Sequence, residues 1–308
     1  MKITTKLLLI TIILTGFSVN NAKAQTGVTF QNVPGDAYTV SRGGATVGSG
    51  ANSFSFFSNT SVAVFSENDF SAGFSYGKWC PDANDNTIIN FGTIIKLSSK
   101  MSLSAGFKNF GYNYITTTNS LGIPEGEVSP KEMSIGIGIA YKLTTKLSMG
   151  VNVNYISSDL IYEDASAVAF DLSATYIIDD LNLGLSASNV GSKIEYGNNK
   201  YDLPSIIKAG GQYTFNLGKN SFSTNLEGDY WLNESTLSGG IGGEFMYKNY
   251  VAIRAGYHFA DEQKTIPSYT SVGLGVILKC INLDFAYILS GSNSAPDNGF
   301  NLSMGITL

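Results

Sequence analysis

Ionisable side chains in the C-terminal part of this sequence stand at alternate positions within otherwise apolar segments. These residues are Glu227, Asp229, Glu244, Arg254, His258 and Asp284. Their direct neighbours are apolar or aromatic, as Tyr230 and Phe285 illustrate. Successive side chains of a β-strand point to opposite faces, so this alternation collects the ionisable groups on one face and the apolar groups on the other.

A catalytic role for this face would depend on His258 with Asp284 and one of the many serines, as in membrane-embedded hydrolases. That combination is a weak signal for a catalytic triad. His258 is the single His of the chain, so the sequence offers no paired imidazole ligands for a metal ion. We therefore expect no enzymatic activity and no cofactor.

The elements that carry these residues are predicted to be strands of a transmembrane barrel. From Asp69 onward, apolar residues alternate with small or polar residues in segments of about ten, which is the pattern of outer-membrane barrels. The predicted fold class is all-β, an antiparallel barrel of about fourteen strands. The predicted strands are 69–79, 86–97, 101–115, 131–143, 147–160, 168–178, 181–191, 205–215, 220–232, 236–247, 250–259, 269–278, 281–289 and 299–308.

The lengths of the predicted connections support this fold, because such barrels alternate short periplasmic turns with longer external loops. Connections after odd-numbered strands are long, as at 116–130 and 161–167, and those after even-numbered strands are short, as at 144–146. The connection at 233–235 is the exception. Both termini of the mature chain are therefore expected on the periplasmic side.

Within a barrel, the ionisable face is expected to point into the lumen, since a cation facing lipid at mid-membrane would cost about 2–4 kcal/mol. Two interpretations of this face remain open. A ladder of hydrogen-bonded charges that fills a narrow lumen is favoured, because a closed barrel must satisfy its buried charges with one another. A path for a substrate is the alternative.

The composition disfavours other classes of protein. Charged residues make up 14% of the chain, below the roughly one quarter that is usual in soluble domains, and 34 Gly and 7 Pro disfavour long helices. A soluble β-sandwich would also alternate, but its second face would carry charges rather than Gly, Ser and Asn. The net charge of −5 and the lack of Lys and Arg clusters argue against a nucleic-acid partner.

The N-terminal part of the chain is predicted to consist of two segments. Lys2 and Lys6 precede an apolar run and then Ala22-Lys23-Ala24, which indicates a signal peptide over residues 1–24. An uncleaved anchor is disfavoured because the run is shorter than the roughly 20 residues that span a membrane. Residues 25–68 contain a cluster of Phe and are predicted to fold into the barrel, 69–308, as a plug, with a disordered periplasmic tail as the alternative.

Three segments of the mature chain carry a family resemblance. The first segment contains Pro34, Asp36, Gly43, Gly44 and Asn59. The second, at 183–204, includes Asn-Val-Gly-Ser-Lys-Ile-Glu-Tyr, and the third lies at 243–287. In their order and spacing these segments resemble the PorV/PorQ family of outer-membrane proteins of the Bacteroidetes type IX secretion system. Tyr38 and Arg42 stand where the family pattern has Arg and Met, and Thr60-Ser61 stand where it has Pro-Ala.

This resemblance implies a barrel of fourteen strands in the outer membrane, similar to the fatty-acid transporter FadL. It also implies that the protein binds the C-terminal domain of secreted cargo and carries the cargo from the translocon to the surface attachment machinery. The implied partners are outer-membrane lipid, cargo C-terminal domains, and translocon and sortase components. The alternative function is transport of hydrophobic small molecules, which would need an apolar internal path rather than a charged one.

The two cysteines, Cys80 and Cys280, are predicted at opposite ends of the barrel, in an external loop and in a periplasmic turn. A disulfide requires Cα atoms within about 7 Å, whereas the apolar band of such barrels is about 25 Å tall. We therefore expect the two residues not to be bonded, and we expect Cys80 to be accessible from outside the cell.

Overall fold

The computed structural model describes residues 26–81, 85–160, 163–261, 264–289 and 298–308. The predicted signal peptide, residues 1–24, lies outside the described residues. Within them, fourteen strands form a closed antiparallel barrel, as predicted. No helix of the described part is long and apolar enough to cross a membrane.

The described residues form eighteen strands. They are β1 (Phe70–Trp79), β2 (Asn86–Lys96), β3 (Met101–Gly111), β4 (Ile115–Thr118), β5 (Pro124–Val128), β6 (Lys131–Lys142), β7 (Leu147–Leu160), β8 (Glu163–Ile178), β9 (Leu181–Gly191), β10 (Ile194–Tyr196), β11 (Asn199–Tyr201), β12 (Ile206–Leu217), β13 (Asn220–Trp231), β14 (Thr236–Tyr247), β15 (Val251–Ala260), β16 (Tyr269–Leu278), β17 (Ile281–Leu289) and β18 (Phe300–Thr307). β4 with β5, and β10 with β11, form two separate hairpins. The other strands pair in sequence, and β1 closes the barrel against β18.

The outer and inner faces of the barrel differ as the alternation predicts. In β6 the side chains of Ile135, Ile137 and Ile139 are exposed, whereas the intervening Ser134 is buried. The exposed face carries large apolar residues throughout the barrel. Because the sheet is closed, the backbone N–H and C=O groups of every strand have hydrogen-bond partners. A sheet that spans an apolar environment requires such partners.

The two ends of the barrel carry different connections. At one end, here called the turn rim, short turns join β2 to β3, β6 to β7, β8 to β9, β12 to β13, β14 to β15 and β16 to β17. The other end, here called the loop rim, carries the longer connections, including the two hairpins. Leu308 lies at the turn rim, where its N–H donates to Phe70 O at 2.8 Å.

The strand bounds differ from the prediction at two places on the loop rim. β3 ends at Gly111, before the predicted end at 115, and the hairpin of β4 and β5 lies almost entirely within the region 116–130 predicted as a loop. β8 begins at Glu163, which pairs with Leu160, so the long connection predicted at 161–167 is short. Periodicity misses such ends because residues beyond the membrane-spanning part, such as Glu163 and Asp164, need not alternate between apolar and polar.

Residues 26–69, here called the N-terminal segment, run through the inside of the barrel. The segment contains α1 (Ala37–Val40) and the short 3-10 helices Thr29–Asn32, Ser55–Phe57 and Thr60–Phe65. It begins at the loop rim, where Thr26 pairs with Asp202, and reaches the turn rim, where Lys96 Nζ donates to Ser66 O at 2.8 Å.

Thr26 and Leu308 therefore lie at opposite rims. The predicted mature N-terminus, Gln25, lies outside the described residues, so the periplasmic position of both mature termini remains a prediction. The lengths of the connections determine the side on which β1 begins, but they carry no information on the path of the residues that precede β1.

Cys80 and Cys280 do not form a disulfide with each other, and they lie at opposite rims, as expected. Cys80, however, is only 7% exposed. It belongs to an apolar cluster at the loop rim that also contains Phe30 and Trp79. The expectation that Cys80 is accessible from outside is therefore wrong, because the N-terminal segment supplies apolar residues that cover the thiol.

Candidate functional site

Small residues on the inner face of the barrel let the backbone of the N-terminal segment approach the wall closely. A Cβ atom added to Gly240 of β14 would lie less than 3.0 Å from Gly43 O, and one added to Gly184 of β9 would lie equally close to Val47 O. Real Cβ atoms essentially never come that close, so any larger residue would displace the segment. Glycines of the strands thus leave the space in which the backbone of the N-terminal segment lies against the wall.

Two residues of the first sequence motif cap helices of the segment. Asp36 Oδ1 accepts a hydrogen bond from Thr39 N at 2.9 Å and begins α1. Asn59 Oδ1 accepts from Ser61 N at 3.1 Å, and its Nδ2 donates to Val47 O at 2.6 Å. Burial raises the pKa of Asp36 to about 6. Both side chains therefore act inside the segment, since the caps satisfy backbone N–H groups that a buried helix start leaves free.

The other motif residues shape the turn that follows α1. Gly43 and Gly44 have φ angles of 63° and 80°, which L residues other than Gly rarely adopt. At Gly43 a Cβ atom would also lie 2.5 Å from Tyr257 O of β15. Pro34 lines a cavity inside the barrel. The motif thus directs the path of the segment.

Four charged side chains on the inside of the barrel form an ion cluster, defined here as Arg42, Glu244, Arg254 and Asp284. Arg42 Nη2 lies 2.8 Å from Glu244 Oε2, and Arg254 Nε donates to the same oxygen at 2.6 Å. Arg254 Nη1 donates to Asp284 Oδ1 at 2.5 Å. The ring centroid of Tyr38 lies 4.1 Å from Arg42 Cζ and 5.1 Å from Arg254 Cζ. Two guanidinium groups thus neutralise two carboxylates, and two of the three departures from the family pattern, Tyr38 and Arg42, take part.

The carboxylate of Glu227 in β13 binds backbone N–H groups of the N-terminal segment. Its Oε2 accepts from Thr46 N at 2.8 Å and from Val47 N at 2.7 Å. Lys208 Nζ lies 3.4 Å from Glu227 Oε1 and is the nearest cationic partner. Charge-assisted hydrogen bonds of this kind are about twice as strong as neutral ones, so Glu227 is a second point of attachment.

Asp229, His258 and Tyr269 face a cavity of about 80 Å³ between the segment and the wall. The rings of His258 and Tyr269 stack with 5.2 Å between centroids. Within the described structure, Asp229 Oδ1, His258 Nε2 and Tyr269 Oη have no hydrogen-bond partner. His258 and Asp284, the two residues of the hypothetical triad, therefore belong to separate groups of side chains.

The structure brings the six predicted ionisable residues onto the inner face but divides them between the ion cluster, Glu227 and the cavity. Sequence reasoning missed three basic partners. Lys208 and Lys108 stand in the same alternation that indicated Glu227, and Lys108 Nζ donates to Gln31 O and Val33 O, both at 2.9 Å. Arg42 lies in no periodic segment, so no comparable signal was present. No group of three or more His, Cys, Asp or Glu in the described ranges could hold a metal ion.

A closed barrel of fourteen strands with an apolar outer face defines an outer-membrane β-barrel protein, and solved structures of FadL type share this fold. The Pseudomonas putida toluene transporter TodX aligns with a TM-score of 0.67 at 12% identity, over 89% of this chain and 98% of that chain. The Ralstonia pickettii toluene transporter TbuX aligns with a TM-score of 0.61 at 14% identity, over 90% and 98% of the two chains. At these identities the likeness concerns the fold alone.

The family model described as type IX secretion system protein PorV matches residues 18–232, which is more than half of the chain. The chain therefore belongs to the PorV family of the type IX secretion system. The match includes the first two sequence segments noted above, whereas the third, 243–287, lies beyond it. No curated protein matches the chain in sequence.

Proposed function

We propose that this protein is the outer-membrane component of the type IX secretion system that binds secreted cargo and passes it to the surface attachment machinery, without catalysing a reaction. The observation that carries this proposal is the family match over residues 18–232. The partners would be the C-terminal domains of cargo proteins together with translocon and sortase components. The loop rim would face outward, and the turn rim would face the periplasm.

The filled lumen supports binding at a rim rather than passage through the barrel. The N-terminal segment is attached by the ion cluster and by Glu227, and we propose that it acts as a permanent plug. The cavity beside His258 has about 80 Å³, whereas sites for drug-sized ligands measure about 300–1,000 Å³. Passage of a cargo chain through the barrel would therefore require the N-terminal segment to leave the lumen, which would expose buried charges.

Transport of hydrophobic small molecules is the second candidate, because similar barrels are toluene transporters and CymD is a monoaromatic hydrocarbon channel. CymD aligns with a TM-score of 0.64 at 12% identity, over 90% of this chain and 98% of that chain. Against this candidate, the inner face presents Glu227, Arg254 and Asp284. An apolar molecule cannot form hydrogen bonds with these charged side chains. Its binding would remove their present partners and supply no others, which is unfavourable.

A deletion strain, complemented with the full gene as control, separates the two candidates. We expect cargo proteins to be lost from the cell surface and to accumulate inside the cell, with the uptake of toluene unchanged. Quantitative proteomics of surface and periplasmic fractions would measure the first effect, and uptake of labelled toluene would measure the second. Normal surface proteins together with reduced toluene uptake would show that the secretion proposal is wrong.

A further inference from the structure

A second pocket, open to solvent and about 530 Å³ in volume, lies at the loop rim beside the start of the N-terminal segment. Its wall contains three aromatic residues and two carboxylates, and we name it the tyrosine pocket: Tyr112, Tyr196, Tyr201, Glu132 and Glu163. None of the described residues that line it is Lys, Arg or His. It shares no side chain with the ion cluster or with the cavity beside His258.

Glu132 of β6 is the central group of the tyrosine pocket. Its side chain is buried, with 4% exposed, and its carboxylate accepts hydrogen bonds from Tyr112 Oη at 2.6 Å and from Ser158 Oγ at 3.0 Å. Both donors are neutral. No ion pair between described residues includes Glu132. A buried carboxylate is costly unless a cation compensates it, so Glu132 differs from Glu244, which has two guanidinium partners.

The tyrosines supply a second attraction for a cation. The rings of Tyr196 and Tyr201 pack edge to face, with 5.8 Å between centroids, and Tyr196 lies beside Glu132. The face of an aromatic ring attracts a cation through the negative potential of its π electrons. An anion would be repelled by Glu132 and Glu163, and an uncharged apolar group would leave Glu132 uncompensated.

We propose that the tyrosine pocket binds the guanidinium or ammonium group of an Arg or Lys side chain that a protein partner presents at the loop rim. The cation would pair with Glu132 at the base of the pocket and lie against the tyrosine rings. The identity of the partner as a secreted protein rests on the proposed function. The preference for a cation rests only on the lining of the pocket.

The test uses the full chain purified in detergent and titration calorimetry with two peptides, acetyl-Gly-Arg-Gly-amide and acetyl-Gly-Gln-Gly-amide. We expect saturable binding of the Arg peptide and none of the Gln peptide. Glu132→Gln keeps the shape of the side chain but removes its charge, and we expect it to weaken binding of the Arg peptide at least tenfold. Glu125→Gln, an exposed position on β5 outside the pocket, is the matched control and should leave binding unchanged.

A second pair of variants keeps the proposal falsifiable if Glu132→Gln disturbs the wall. Tyr201→Phe retains the ring and should retain binding, whereas Tyr201→Ala should lose it. Equal affinity of the Arg and Gln peptides, or undiminished binding by Tyr201→Ala and Glu132→Gln, overturns the proposal.

The same Glu132→Gln variant, expressed in the deletion strain, separates this proposal from the proposed function. Loss of peptide binding with normal secretion would overturn the secreted protein as the partner and leave the role in secretion intact. Normal secretion in the deletion strain itself would instead overturn the proposed function, and the peptide result would stand.

Discussion

Arg42 of the N-terminal segment and Glu244 of β14 form an ion pair across the lumen, with 2.8 Å between Nη2 and Oε2. The Arg42 side chain is 1% exposed, so bulk water does not reach its guanidinium group in the folded protein. Arg254 binds the same carboxylate and connects it to Asp284. The pair therefore joins the segment to the wall, and Arg42 balances the excess carboxylate of the wall residues, so the charge balance of the cluster can be tested.

Replacing Arg42 with Met, the residue of the family pattern at this position, leaves two largely enclosed carboxylates with one guanidinium. We expect a loss of about 3–5 kcal/mol in the free energy of unfolding, because one buried charge becomes uncompensated. Glu244→Gln should destabilise for the opposite reason, an excess of positive charge. The double variant restores neutrality and should recover part of the loss. Urea denaturation in detergent measures all four proteins, and strictly additive losses would contradict the pairing.

Gly240→Ala tests the close approach of the segment to the wall. The added methyl group would collide with Gly43 O, and overpacking of this kind costs about 1–3 kcal/mol. We expect faster cleavage of the N-terminal segment by protease in detergent. Gly228→Ala on the adjacent strand is the control, since nothing lies within 4 Å of a Cβ atom there. Equal cleavage rates for the two variants would argue against displacement of the segment.

Thiol labelling tests the orientation of the barrel in the membrane. Leu121, 81% exposed in the β4–β5 hairpin, is replaced with Cys in a chain that carries Cys80→Ser. A membrane-impermeant maleimide should label this Cys in intact cells and should label Cys280 only after the outer membrane is permeabilised. In the unmodified chain Cys80 should stay unlabelled until the protein is denatured, because it is buried. Labelling of Cys280 in intact cells would reverse the orientation proposed for the two rims.

Asp36 should make the stability of the protein depend on pH. Burial raises the pKa of Asp36 from 3.8 to about 6, so the folded state binds this proton more tightly than the unfolded state does. The stabilisation of the folded state by the proton on Asp36 is therefore fully present below pH 3.8, falls as the pH rises, and is lost above about pH 6. Asp36→Asn keeps a good cap residue and removes the titration.

The difference in unfolding free energy between the unmodified chain and Asp36→Asn should change by about 2 kcal/mol between pH 4 and pH 7, with the variant gaining relative stability as the pH rises. Denaturation at several pH values would measure it. A difference that stays constant over this range would show that Asp36 does not titrate there.

Several features of the barrel could be predicted because they depend on neighbours in the chain. Alternation in β6, for example, follows from the two faces of a strand, and the short turn at 144–146 follows from the local geometry that joins β6 to β7. Even the inward direction of Glu227 follows from its position between apolar neighbours. The loop rim was less predictable, since its hairpins pair only within themselves and are not part of the membrane-spanning pattern.

The sequence by itself determined the class of fold, the number of barrel strands and the face on which the ionisable residues lie, because each of these depends on periodicity along a single strand. The tertiary structure alone decided which charges meet. Arg42 forms an ion pair with Glu244, which lies on a strand far along the chain, because the path of a segment without periodicity is determined by its packing against the whole wall. The carboxylate of Glu132 accepts hydrogen bonds from neutral donors, Tyr112 and Ser158, which only the pairing of distant residues brings beside it. For the same reason only the structure could place Thr26 and Leu308 at opposite rims.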